Sequence, residues 1–145
     1  MISIQNDFDA RTVLNDLCAN WTRLALGKEI TGLVNLYTEH AIFFGSLAEM
    51  YFGRAGVTEY FETASLSTLT SIRFDWQQVT PLGPAIINAG GFVFFGATLE
   101  GEDACWRFGI SWVLVKHGAG WQIASHHASR RELPPAERAD FWLEK

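Results

Sequence analysis

Around residue 68 the hydrophobic pattern of this chain changes period, and that change restricts the fold more than any other feature. Before it, apolar side chains recur every three or four residues. From Asp9 to Leu26 they fall at Val13, Leu14, Leu17, Trp21, Leu24 and Ala25, one face of a helix, with Asn6, Asp7 or Asp9 to cap it and Gly27 to end it. A shorter helix is predicted over residues 30–37, with Ile30, Leu33, Val34 and Tyr37 on its buried side. "HAIFFG" reads as a short strand, and "YFGRAG" turns the chain into a further helix carrying Val57, Tyr60, Phe61 and Ala64. After the change, β-branched and aromatic residues dominate, broken by Pro81-Leu82-Gly83-Pro84, by "EGED" and by "HGAG". Four strands result, at about 71–80, 85–99, 103–116 and 120–129, joined by loops short enough for antiparallel hairpins. Gly90-Gly91 marks a bulge or bend in the second of them. Helices first and a curved antiparallel sheet afterwards is an α+β plan.

Along the third of these strands Trp106, Phe108, Ile110, Trp112 and Leu114 point one way, and Arg107, Gly109, Ser111, Val113 and Val115 the other. The first set faces the helices; the second is apolar enough to want cover, which a second subunit would supply. Eleven Phe, six Trp and three Tyr exceed what a small core demands and point to an apolar cavity, an apolar interface, or both. A net charge of −5, with basic residues scattered apart from Arg130-Arg131, argues against a nucleic-acid binder. No apolar run reaches the roughly 20 residues that span a bilayer. "MISIQNDFDAR" lacks the basic start and apolar stretch of a signal peptide, so a cytoplasmic location is expected. Cys18 and Cys105 read as buried free thiols. The length fits one domain, residues 1–145, with its core over 9–129 and a tail over 130–145 that restarts after two prolines as a last helical turn.

The stretch "LYTEHAIFFGSLAEMYFGRAGVTEYFE" resembles the helix–strand–turn–helix signature of SnoaL-like proteins, members of the nuclear transport factor two-like superfamily. "GWQIASHHAS" is similar to the closing strand of the kinase association (hub) branch, G-x-W-x-I-x-x-x-H-x-S. Trp121, Ile123, His127 and Ser129 match that pattern, and Ala119 stands in place of its glycine. The resemblance covers residues 9 to 129. It implies a cystatin-like cone, a curved sheet wrapped around a long helix with a pocket at the open end, and a dimer packed through its sheets. The superfamily includes isomerases, polyketide cyclases, dehydratases, hydrolases, hubs and transport adaptors, so fold alone does not settle function.

His126 and His127 are neighbours on a strand and point to opposite faces, so they cannot ligate one metal together. No CxxC or HExxH spacing supplies further ligands, and neither metal nor cofactor is expected. In hub-like relatives the residue after the matched histidine lines the pocket. The resemblance therefore implies that Ala128 and His126 face the cavity, while His127 lies on the other face beside Trp121 and Ile123. His126 could act as acid or base, since an unperturbed imidazole titrates near pH 6.5, with Tyr37 as its partner at the cavity edge. Trp21, Tyr51, Trp106 and Trp112 either complete an aromatic lining or simply fill the core. There is no GxSxG elbow, and "GRAG" is too short for a phosphate loop. Steroid isomerases of this superfamily carry a base in a stretch like A-x-V-E-D-P; laid on "HAIFFGS", its acidic positions become Phe44 and Gly45. The expected function is binding of a small hydrophobic or aromatic molecule, with cofactor-independent isomerase, cyclase or dehydratase chemistry. The alternative is a non-catalytic ligand-sensing or oligomerisation module.

Overall fold

A computed structural model describes residues 7–131 except 48 and 65. The chain runs α1 (Asp7–Leu26), α2 (Ile30–Val34), β1 (Tyr37–Phe44), β2 (Tyr51–Phe52), α3 (Gly53–Thr63), β3 (Leu69–Leu82), β4 (Ala85–Ala97), β5 (Asp103–His117) and β6 (Gly120–Arg130). The strands form one curved sheet in the order β2-β1-β6-β5-β4-β3. The architecture is α+β, as the change of period requires. Every pairing is antiparallel except β1 with β6, which is parallel. That exception brings the early strand beside the last one, with α3 packed against β1 and α1 against β3 at the far edge. The expected helical turn of the tail lies outside the described residues. No helix among them is long and apolar enough to cross a membrane.

Ala10, Leu14, Leu17, Trp21, Leu24 and Ala25 bury one face of α1 against the sheet. Asp9 falls inside α1 rather than at its cap. The left-handed residue that ends this helix is Lys28, at φ 57°, not Gly27. Lys28 N–H donates to Ala25 O and Glu29 N–H to Leu24 O, the two bonds of a Schellman cap. The second helix stops at Val34, shorter than its periodicity predicts, and Tyr37 opens β1 instead of closing a helix.

Two bulges set the sheet's geometry. In the first, Asp75 pairs Gly91 and Gln78 pairs Ala89, so Trp76 and Gln77 together oppose Gly90. The extra residue sits in β3, and the glycine foreseen as the bulge is what admits it. A Cβ on Gly90 would lie 2.5 Å from Gln77 Nε2 and 2.7 Å from Trp76 O. Trp76 is thrown outward, 69% exposed, with the Arg131 guanidinium 5.4 Å from its ring centroid. In the second, Leu114 pairs Ile123 while Val113 pairs Ser125, so Ala124 is extra. It resets the phase of β6. Ile123 is fully buried, and Trp121 packs against the core. Neither lies beside His127 on the outer face, contrary to simple alternation along the strand.

Cys105 is exposed, which corrects the expectation of two buried thiols. Trp106 takes the inner face, so its neighbour must point out. Cys18 is half-buried on α1, and burial pushes its thiol up to about 12.

Candidate functional site

Phe43 of β1, His126 of β6, Trp112 of β5, Asn88 of β4 and Val79 of β3 are successive cross-strand partners. All five are buried on the inner face, so they form one rung across the sheet. Above the His126 end of this rung the curve of the sheet encloses a cavity of about 520 Å³. Its walls are aromatic, with Trp21 from α1, Phe61 from α3, and Phe92, Phe94, Trp106 and Phe108 from the sheet. The mouth is more polar, with Ser46, Tyr60, Thr63, Thr98 and Arg130. Arg130 is the sole formally charged side chain among the described lining residues, and none of those residues is an aspartate or glutamate.

His126 is 3% exposed and lines the cavity floor. The Phe43 ring stacks on it at 4.1 Å between centroids and 23° between planes. Two hydrogen bonds converge on its Nδ1: the Trp112 indole N–H donates at 3.0 Å, and the Tyr37 hydroxyl lies at 2.9 Å. Tyr37 oxygen in turn accepts the Trp21 indole N–H at 3.0 Å. Burial, then the charge of His127, pulls the His126 imidazole down to about 3, so the ring is neutral throughout the physiological range. Burial also drives the Tyr37 phenol well above its ordinary 10. At neutral pH burial therefore favours the uncharged imidazole and the protonated phenol.

Of the residues singled out in the sequence, His126, Trp21, Trp106 and Ala128 line the cavity together. Tyr37 and Trp112 do not. Both are fully buried one layer deeper, where they hold His126. Tyr51 does not line the cavity either: β2 is the sheet edge, and the Tyr60 ring, 5.7 Å away, reaches the cavity in its place. His127 points outward and is exposed, 5.3 Å from the Phe44 ring. Phe43, Tyr60, Phe61, Phe92, Phe94, Phe108 and Arg130 belong to the lining but were not foreseen. The period-two alternation of Phe92 and Phe94 could have revealed that pair. Phe43 could not be found locally, because its contact with His126 depends on the parallel β1–β6 pairing.

A family profile described as SnoaL-like domain matches residues 14–132. The chain belongs to the SnoaL-like family. Its fold recurs in solved structures of low identity. One is a protein from Xanthomonas campestris named for the calcium/calmodulin-dependent protein kinase II association domain, at 19% identity and TM-score 0.76, covering 83% of this chain and 87% of that one. Another is an NTF2-like protein with a cystatin-like fold from Novosphingobium aromaticivorans, at 18% identity and TM-score 0.75, covering 91% and 88%. A third is a ketosteroid isomerase-like protein from Erwinia carotovora atroseptica, at 13% and 0.71, covering 84% and 96%. At such identities the likeness shows the fold. No curated protein matches the chain in sequence.

In this SnoaL-like chain the position where steroid isomerases would place a base is crowded. A Cβ on Gly45 would lie 2.6 Å from the Tyr60 ring and 2.7 Å from that of Phe43. Phe44 turns to the outer face beside His127.

Proposed function

We propose that this SnoaL-like protein binds a small apolar or aromatic molecule in the cavity of its curved sheet, with His126 as the polar contact at the floor. The observation that carries this reading is a cavity walled by aromatic side chains around one neutral, hydrogen-bonded imidazole. Pockets of this size with few polar groups bury most of a drug-sized ligand's surface. The walls supply apolar contact and aromatic stacking, and a single imidazole fixes orientation.

Chemistry in such a cavity is limited to polarisation. A neutral imidazole with a depressed pKa can polarise a carbonyl by hydrogen bonding, but it is a weak base. Glu39 and Glu49, the nearest acids in sequence to the β1–β2 region, are both exposed. The absence of a carboxylate from the described lining favours binding over proton-transfer turnover, and so favours a ligand-sensing module over an isomerase, cyclase or dehydratase. No steroid isomerase activity at an enzyme-like rate is expected.

The outer sheet face supports a homodimer. Trp76 is 69% and Phe52 64% exposed, and Ile42 and Ile87 also point outward. Large apolar side chains of this number on one face call for a partner surface.

Titration of the protein with 2-naphthol, followed by tryptophan fluorescence, tests the binding reading. Saturable quenching that weakens in His126→Ala supports it. Unsaturable quenching, identical in both proteins, contradicts it.

A further inference from the structure

His126 Nδ1 receives two groups, and they are not equivalent. An indole nitrogen can only donate, whereas a phenolic hydroxyl can donate or accept. Trp112 Nε1–H at 3.0 Å therefore obliges Nδ1 to be the bare, accepting nitrogen. Tyr37 hydroxyl at 2.9 Å follows suit and donates to the same lone pair, while its oxygen accepts from Trp21. The single proton of the neutral ring must then sit on Nε2. Asn88 Oδ1 is the one buried side-chain polar atom among the described residues that lacks a partner. Nε2 has no hydrogen-bond partner among those residues either, so it is not sealed in and opens onto the cavity that His126 lines.

We propose that Trp112, which does not line the cavity, decides the hydrogen-bonding polarity of its floor: by holding the His126 proton on Nε2 it makes the site a donor that selects aromatic ligands carrying an acceptor. The inference rests on the binding reading above, and deepens it to a ligand class of aryl ketones, quinones and similar apolar acceptors. A ligand offering only an aromatic N–H would face Nε2–H donor to donor. Without the indole, the ring could move its proton to Nδ1 and donate to the Tyr37 oxygen, and a bare Nε2 would then accept from a ligand. Trp112 is a positioning residue in this account. It touches the imidazole, not the ligand.

Two measurements on the full chain separate this inference from the binding reading. Long-range ¹H–¹⁵N NMR of histidine-labelled protein reports the tautomer with no ligand present. The expected spectrum at neutral pH shows a pyridine-like Nδ1 and a pyrrole-like Nε2 for His126; a protonated Nδ1 overturns the inference outright. Binding of the near-isosteric pair fluorenone (acceptor only) and carbazole (donor only) reports polarity. The wild type should favour fluorenone by roughly tenfold or more, the usual consequence of burying an unmatched polar group. In Trp112→Phe that preference should shrink at least about fivefold, through tighter carbazole binding, with the His126 proton moving to Nδ1 in the carbazole complex. Tyr37→Phe keeps the indole and should keep both the Nε2–H tautomer and the fluorenone preference. A preference unchanged in Trp112→Phe, or a tautomer lost in Tyr37→Phe, contradicts the assignment to Trp112. Failure of both ligands to bind the wild type, with the tautomer as expected, overturns the binding reading and with it the selection step.

Discussion

Acidification should unfold this protein through His126. The imidazole lies near 3 in the folded chain against an ordinary 6.5, because burial penalises its charged form. A group held below its unfolded value stabilises the fold above that value and loses this contribution as pH falls. Here the window runs from about pH 6.5 down to about pH 3. At pH 4.5 the unfolded histidine is almost fully protonated and the folded one almost not at all, a differential of about 2.5 kcal/mol relative to pH 7. That is a large part of the stability of an ordinary domain. Other carboxylates and histidines also titrate across this range, so the comparison must be with a variant that lacks the imidazole. Urea unfolding of wild type and His126→Gln at pH 7 and pH 4.5 isolates the contribution of this imidazole. The wild type should lose about 2.5 kcal/mol more than the variant between the two pH values. Equal losses in the two proteins would refute the account of a desolvated, uncharged imidazole at the cavity floor.

Gly90→Ala should cost about 1–3 kcal/mol in urea unfolding, because the new methyl meets Trp76 O in the backbone as well as the Gln77 amide. Lys28→Gly should raise stability by about 0.5–1 kcal/mol, since glycine takes the left-handed cap position without the steric penalty lysine bears at φ 57°. Light scattering at micromolar concentration should show a homodimer, burying on the order of 1,200 Å² or more in total. Trp76→Glu should shift it toward monomer, and a monomeric wild type would remove the sheet-face assembly.

The sequence discloses features governed by local periodicity. The apolar face of α1 repeats over about four turns of helix, so Leu14, Leu17, Trp21 and Leu24 are legible as core. The opposition of His126 and His127 follows from the pleat of a strand and needs no partner to be known. Trp121 and Ile123 are misread because one extra residue, Ala124, resets the alternation, and only the pairing of β6 with β5 reveals it. The Gly90-Gly91 irregularity is legible, but the bulged residues belong to the opposite strand, where Trp76 and Gln77 carry no local signal. The arrangement around His126 was hidden for a similar reason. Tyr37 and Trp112 lie 89 and 14 residues away in sequence, and their approach depends on register across three strands. Their side chains read as lining or core; that they would converge on one nitrogen does not follow from either.

The most direct test of a ligand-binding cavity with His126 at its floor is a crystal structure of the protein soaked with fluorenone. The account predicts the tricycle against the walls formed by Trp21, Phe92 and Trp106, with the ketone oxygen within hydrogen-bond distance of His126 Nε2. Density for the ligand on the outer sheet face alone, or in the cavity with its oxygen turned to the mouth at Arg130, would contradict it.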